Sequence, residues 1–206
     1  DLYKYESNSY KDNISLNSIN PIISKLSDID EDGNTALMLA CKYYEKTNIA
    51  LEILEYPNQC GLGNINENGD TALILAIENK MENVALKILE YPNQCKKDHI
   101  DKQGYTVLMI ACSNNMRNVA LELLKYPDQC KLGHIGNGCL KDTALKIACR
   151  SEMSDVALEI LKYPEKCQLD YEKCFALYMA CCNNLTDVAL EILKYPEKCY
   201  LDKIIA

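Results

Sequence analysis

The stretch LEILEYPNQC, residues 51–60, decides how this chain is read. An apolar run with helical spacing stops at Tyr56-Pro57, and Cys60 follows three residues after the proline. The block returns as LKILEYPNQC at 86–95, LELLKYPDQC at 121–130, and LEILKYPEKC at both 158–167 and 190–199. Proline disfavours the α conformation in the residue before it and has no N–H to donate. Tyr-Pro therefore ends a helix at one fixed point in every unit. The tyrosine can lay its ring across the last turn and keep its hydroxyl in water. The Tyr-Pro pairs begin at 56, 91, 126, 163 and 195, with spacings of 35, 35, 37 and 32 residues.

Upstream of each block lies a second motif in the same phase. It reads GNTALMLAC (33–41), GDTALILAI (69–77), GYTVLMIAC (104–112), KDTALKIAC (141–149) and KCFALYMAC (173–181). Leu73, Ala76 and Ile77 follow i, i+3, i+4 spacing, with Asp70 or Thr71 as the cap. Val84, Ala85, Ile88 and Leu89 form the apolar stripe of the second helix. Short polar links such as ENKMEN (78–83) and SNNMRN (113–118) make the two helices antiparallel neighbours. The reading predicts inner helices at 35–43, 71–79, 106–114, 143–151 and 175–183. It predicts outer helices at 48–56, 83–91, 118–126, 155–163 and 187–195. The length changes, KYYEKTN in unit one and GNGC before unit four, fall between helices, as a stacked repeat requires. Asn20-Pro21 predicts a short additional helix through Leu26, with Asn as cap and Pro in the first turn.

These motifs resemble the ankyrin repeat. Gly33/Thr35/Leu37, Gly69/Thr71/Leu73 and Gly104/Thr106/Leu108 match the start of the family's inner helix. Ala40–Cys41, Ala111–Cys112, Ala148–Cys149 and Ala180–Cys181 match its paired small residues. Ile65, Ile100 and Ile135 match the inward apolar position of its hairpin. The departures are equally plain. The family's proline is Ala or Val here, its histidine is Met38, Ile74, Met109, Lys146 or Tyr178, and Tyr-Pro-x-x-Cys stands after the outer helix. Lys141 and Lys173 replace the hairpin glycine in units four and five, and Phe175 replaces the threonine in unit five. The Tyr-Pro-x-x-Cys dialect and the Asn/Ile/Lys-rich composition are similar to ankyrin arrays of amoeba-infecting giant viruses. The resemblance implies an all-α solenoid of about five helix pairs joined by β-hairpin-like loops over 28–199. Residues 1–27 are then an N-terminal extension with a short capping helix, and 200–206 a further repeat's start or a C-terminal cap. The start at Asp1 and the end at YLDKIIA are those expected of a piece of a longer protein.

Composition narrows the function. Apolar residues make up 48% of the 206, and no run approaches the length of a membrane span. A net charge of −8 argues against nucleic acid as a partner. Residues 28–79 hold ten acids against two lysines, whereas 1–27 and 80–206 are each balanced. Twelve cysteines suggest disulfides. Equivalent positions in stacked helices sit roughly 8–10 Å apart, beyond the reach of a bridge. Cys60, Cys95, Cys130, Cys167 and Cys199, and the ladder Cys41, Cys112, Cys149, Cys181, are therefore expected as small buried hydrophobes in a reducing, intracellular compartment. Cys182 is expected to face outward as a free thiol. Metal is not expected: there is no Cys-x-x-Cys, and His99 and His134 occupy a hairpin position that holds Asn64 and Tyr171 in other units. No cofactor is expected, and no nucleophile–base pair or phosphate-cradling glycine loop suggests catalysis.

The resemblance implies protein binding on the concave surface. The contact positions it carries over are Glu31, Asp32, Asn34, Lys42 and Tyr43 in unit one, and Glu67, Asn68, Asp70, Glu78 and Asn79 in unit two. Unit three supplies Lys102, Gln103, Tyr105, Ser113 and Asn114, and unit four Lys141, Asp142, Arg150 and Ser151. These vary between units while the packing positions do not. The surplus acid implies a protein partner that docks through a basic segment. Two functions fit: a binding scaffold, or the recognition part of a larger enzyme or ubiquitin-ligase adaptor.

Overall fold

The computed structural model describes residues 23–138, 140–167, 169 and 175–196. They form five antiparallel helix pairs. The inner helices are α1 (Ala36–Cys41), α3 (Ala72–Glu78), α5 (Val107–Ser113), α7 (Ala144–Arg150) and α9 (Phe175–Cys182). The outer helices are α2 (Thr47–Ile53), α4 (Glu82–Leu89), α6 (Arg117–Leu124), α8 (Ser154–Leu161) and α10 (Thr186–Ile192). Inner packs on inner and outer on outer along the stack. No described helix is long and apolar enough to cross a membrane. The helix expected from Pro21 begins outside the described residues, as do Tyr171, Lys173, Cys199 and 200–206.

Each end of a helix has a local cause. Thr35, Thr71, Thr106 and Thr143 cap the inner helices, and their hydroxyl oxygens accept N–H bonds of 3.2–3.3 Å from the residue three ahead. The inner helix α3 closes in a Schellman turn. Lys80 N–H donates to Ile77 O at 3.0 Å and Met81 N–H to Ala76 O at 2.8 Å. Lys80 holds the left-handed φ of 56° that this turn needs, and Asn115, Glu152 and Asn184 do the same in later units. Met81, Met116 and Met153 then drop into the core and start the outer helix without a side-chain cap. Unit one has the longer link and uses a short 3-10 helix, Tyr44–Lys46, instead.

The Tyr-Pro-x-x-Cys block is a double turn. The outer helices end two or three residues before the tyrosine, somewhat earlier than expected. The tyrosine N–H still reaches back three residues, as from Tyr56 to Ile53 O at 3.0 Å. Its carbonyl then accepts from the residue three ahead, Gln59 N–H at 3.0 Å and Gln94 N–H at 2.9 Å. Proline sits where no donor is required. The turn delivers Cys60, Cys95, Cys130 and Cys167 into the core. Two residues on, Leu62, Leu132 and Leu169 are also buried.

That turn corrects one expectation. Ile65 is 43% exposed, and its counterpart Ile29 61%. Ile100 and Ile135 are only half-buried. The buried apolar groups of the connection are the cysteine and leucine of the turn, while the hairpin isoleucine points outward, as Ile29 does with no Tyr-Pro pair before it. In unit two the leucine is replaced by Lys97, which is 2% exposed. Its ammonium donates to Pro92 O at 2.7 Å and lies 3.9 Å from the centre of the Tyr126 ring in the next unit.

Among the described cysteines no disulfide forms. Seven are buried and Cys182 is exposed as expected, but Cys181, expected in the buried ladder, is exposed too, because α9 packs on an inner helix on one side only among the described residues. Burial pushes the thiols of Cys41, Cys112 and Cys130 up to about 12, so all three stay neutral and act as packing groups. Brief alkylation of the native protein in reducing buffer, followed by peptide mass spectrometry, should modify Cys181 and Cys182 and spare Cys60, Cys95 and Cys130. Equal labelling at all of these would contradict the packing role.

Unit four carries a buried ionic cluster. Arg150 grips Asp142 with two bonds of 3.0 and 2.9 Å, and Lys146 approaches the same carboxylate at 3.4 Å. The Lys146 ammonium also donates to Leu140 O, within the inserted loop, and lies 4.3 Å from the Phe175 ring centre. Removing one member of a buried pair strands the other charge, typically at a cost of about 3–5 kcal/mol. Asp142→Ala should lower the urea midpoint accordingly. Adding Lys146→Met, which restores the residue of units one and three, should recover much of the loss.

Candidate protein-binding face

The hairpins that present the concave face are clamped by an acidic or amide side chain. Asp30, Asn66 and Asp101 each accept the N–H four residues ahead, at 2.8 Å from Asn34, 2.8 Å from Asp70 and 2.7 Å from Tyr105. These bonds hold the Asp30 carboxyl below its ordinary value. Sequence reasoning missed the three clamps. Their signal was the recurrence of Asp or Asn three residues before the hairpin glycine. At the tip, Gly33 has φ +77°, and a Cβ there would lie 3.3 Å from Asn66 Cα in the next unit. Successive tips approach that closely because Glu67 N–H donates to Asp32 O at 2.9 Å. In unit four Lys141 takes the left-handed turn position at φ 46°, so the hairpin survives loss of its glycine.

Most carried-over contact positions reach the surface. Glu31, Asp32, Lys42, Tyr43, Glu67, Asn68 and Glu78 are exposed, as are Lys102, Gln103, Ser113 and Lys141. Asp70, Asn79, Tyr105, Asn114, Arg150 and Ser151 are half-buried. Two positions are corrected. Asn34 is buried and ties neighbouring units, accepting from Asn66 Nδ2 at 2.8 Å while donating to Asp30. Asp142 is buried at the centre of the ionic cluster. Both therefore serve the stack rather than a partner. Asn79 is half committed in the same way, donating to Cys41 O at 3.1 Å and Leu75 O at 2.9 Å. Asn114 donates to Ile110 O at 3.0 Å.

The electrostatics of this face differ from those of the outer helices. From unit two onward, one acid on each outer helix meets a lysine three residues away: Lys87–Glu90, Glu122–Lys125, Glu159–Lys162 and Glu191–Lys194. None of the carboxylates of Glu31, Asp32, Glu67, Asp70 and Glu78 meets a cation at ion-pair distance among the described residues. Lys102 crosses back over Gly69, but its ammonium donates to the backbone carbonyl of Glu67. Partial burial, and then repulsion from Asp70 and Asp101, raises the Glu78 carboxyl above its usual 4.5.

No described cluster of three His, Cys, Asp or Glu could hold a metal. The histidine rings instead bond the preceding hairpin, His99 Nε2 to Gly69 O at 2.7 Å and His134 Nε2 to Gly104 O at 2.9 Å.

A stack of helix pairs with clamped tips along one side defines a helical-repeat solenoid. A family model described as "Ankyrin repeats (3 copies)" matches residues 10–98, 58–134 and 87–169. The chain belongs to the ankyrin-repeat family, whose repeats are generally non-catalytic interaction modules. A search of curated proteins gave no match. Among solved structures the chain is similar to a chain of "Bd0816 Predatory Endopeptidase from Bdellovibrio bacteriovorus in complex with immunity protein Bd3460". The two are 25% identical with a TM-score of 0.60, over 87% of this chain and 92% of that one.

Glu78 yields a test of strain on this face. A carboxyl with a raised folded-state value destabilises the fold when ionised, and the penalty fades as pH falls toward its unfolded value. Glu78→Gln should therefore raise the melting temperature at pH 7, with the gain gone below about pH 4. No gain at pH 7 would mean that the carboxylate is not strained.

Proposed function

We propose that the chain is a non-catalytic scaffold that holds a protein partner on the concave face of its first two units, through a basic segment of that partner. The observation that carries this reading is the set of unpaired carboxylates on Glu31, Asp32, Glu67, Asp70 and Glu78. Like charges held together cost stability through self-repulsion and raise the local field. Stacking does not demand them, since the charges of residues 80–206 balance. Tyr43, which is 44% exposed, and Tyr105 serve as aromatic anchors beside the acids. The family supports a protein partner, as does the likeness to a chain from a two-protein complex.

In this reading residues 28–199 are the working array. Residues 1–27 extend it with a short capping helix, and 200–206 begin a further unit or cap. Nucleic acid, membrane, metal and cofactor have no part in it. The buried neutral thiols suit a reducing intracellular compartment. The Tyr-Pro-x-x-Cys dialect favours a giant-virus origin, with a host protein as partner.

The test is charge reversal. A short lysine-rich peptide should bind the intact chain, and its affinity should fall with salt. Glu67→Lys with Asp70→Lys should weaken binding by at least about tenfold, or ~1.4 kcal/mol, and flatten the salt dependence, with circular dichroism unchanged. Unchanged affinity and salt dependence would move the interface elsewhere.

A further inference from the structure

All six prolines of the chain hold one place in the repeat. Each stands five residues before a leucine, except Pro92, which stands five before Lys97. Pro21 is thereby the counterpart of the turn prolines, with Leu26 in the place of Leu62. The bonds that follow it agree. Asp28 N–H donates to Lys25 O at 3.0 Å, as Asn64 does to Gly61 O at 3.0 Å and His99 to Lys96 O at 2.9 Å. Leu26 is half-buried against the core four residues before the clamp Asp30, and Leu62 is buried four residues before Asn66. Leu26, expected as the end of a helix, is instead the leucine of such a turn, for the chain is already turning at 24–27.

What precedes Pro21 follows the same pattern. DNISLNSINP at 12–21 repeats TNIALEILEYP at 47–57 with one residue fewer. Asn13, Ile14 and Leu16 match Asn48, Ile49 and Leu51, while Ser15 stands for Ala50 and Ile19 for Leu54. The first family match begins at residue 10, well before the first described hairpin. The outer helix α2, for its part, has an uncovered side. In α4 four apolar positions are buried, Val84, Ala85, Ile88 and Leu89, and the same four are buried in α6 and α8. In unit one Ala50 and Leu54 are buried, whereas Ile49 is 51% exposed and Ile53 half-buried. At the other end of the described stack α10 shows the reverse: Val188 and Ile192 are buried, Ala189 is half-buried and Leu193 exposed. The first and third positions therefore face the preceding outer helix, and the second and fourth the following one. Ile49 and Ile53 lie where a preceding outer helix would cover them.

We propose that residues 12–20 are the outer helix of a further unit and lie on Ile49 and Ile53 of α2, with Ser15 and Ile19 at the contact. The capping helix of the array then precedes Pro21 rather than following it. This does not depend on the concave-face docking reading, which its failure would leave intact. In the described units the turn leads straight out of an outer helix, so the turn at 24–28 sets where the chain before it must lie. Asn and Ser favour turns over helix interiors, and isolated helices shorter than about 12–15 residues are marginal in water. The segment therefore holds its helix only against α2, as each repeat relies on its neighbour. A second copy of the chain is the rival occupant, but it brings neither this register nor this turn to the place.

The experiment is hydrogen exchange with mass spectrometry on the full chain in reducing buffer. Amides of 14–20 should exchange at least about tenfold more slowly than those of an unstructured chain. Ile19→Asp should abolish that protection. Ile49→Asp, outside the segment and on exposed surface, should abolish it too, while α4, α6 and α8 keep theirs in both variants. In urea the double variant should be no less stable than the poorer single one, because both changes remove the same contact. Free exchange of 14–20 in the unaltered chain would overturn the proposal, as would protection that survives Ile49→Asp. A dimer in light scattering that Ile49→Asp makes monomeric, with 14–20 exchanging freely, would assign this side of α2 to a second copy instead.

Discussion

No unit of this chain can bury its own apolar surface. Every residue from Ala72 to Ile77 in α3 is buried, because α1 lies on one side of it and α5 on the other. In α9, the last inner helix among the described residues, only Ala176 and Ala180 are buried, and Tyr178 stands in solvent. The sequences of the two helices are comparably apolar, so the difference lies in the neighbours. This one-dimensional dependence is the property of a repeat stack. It explains why Asn34, Asn79 and Asn183 behave alike. Each meets a neighbouring unit and satisfies a backbone or amide group there. The stack needs such ties because helix ends otherwise leave carbonyls without partners.

The Tyr-Pro-x-x-Cys turn is this chain's variation on that scheme. It adds one tight turn between the outer helix and the next hairpin. The apolar cost of the longer connection is met locally, by a cysteine and a leucine folded under the turn. Lys97 shows how firmly the position is enclosed. A lysine placed there is desolvated, and it keeps its charge company with the Pro92 carbonyl and the face of Tyr126. The same enclosure raises the cysteine thiols and removes their chemistry. A residue type whose abundance suggests redox or metal function is here a small apolar side chain with a weak donor.

Charge is allocated by face. The outer helices pair acids and lysines at short range, as solvated helix surfaces commonly do. The concave side leaves its carboxylates without cations and raises that of Glu78 through burial and repulsion. The exception on that side, the Asp142 cluster, has a structural role: Lys146 ties down Leu140 in the inserted loop, and Arg150 completes the pairing. Strain that no packing contact requires is a common companion of binding surfaces. The division between paired and unpaired charge thus separates the side that only needs solvent from the side suited to a partner.

The period, the helix pairs and the family resemblance were legible in the sequence, because each rests on local physics. Proline at 57 and its four counterparts stops a helix whatever surrounds it, and the threonines at 35, 71, 106 and 143 cap from within three residues. The surplus of acid in 28–79 was legible too, being a matter of counting. The direction of individual side chains was not. Asn34 and Asp70 occupy the same place in the repeat, yet only Asn34 turns inward to Asn66. Ile65 looked like a core residue and is exposed, as Ile29 is, while Cys60 and Leu62 of the turn are the buried apolar groups. Asp142 looked like a contact residue and is buried by Lys146 and Arg150. Such outcomes depend on which side chain from the neighbouring unit or inserted loop reaches a shared volume first. Only the three-dimensional packing decides that.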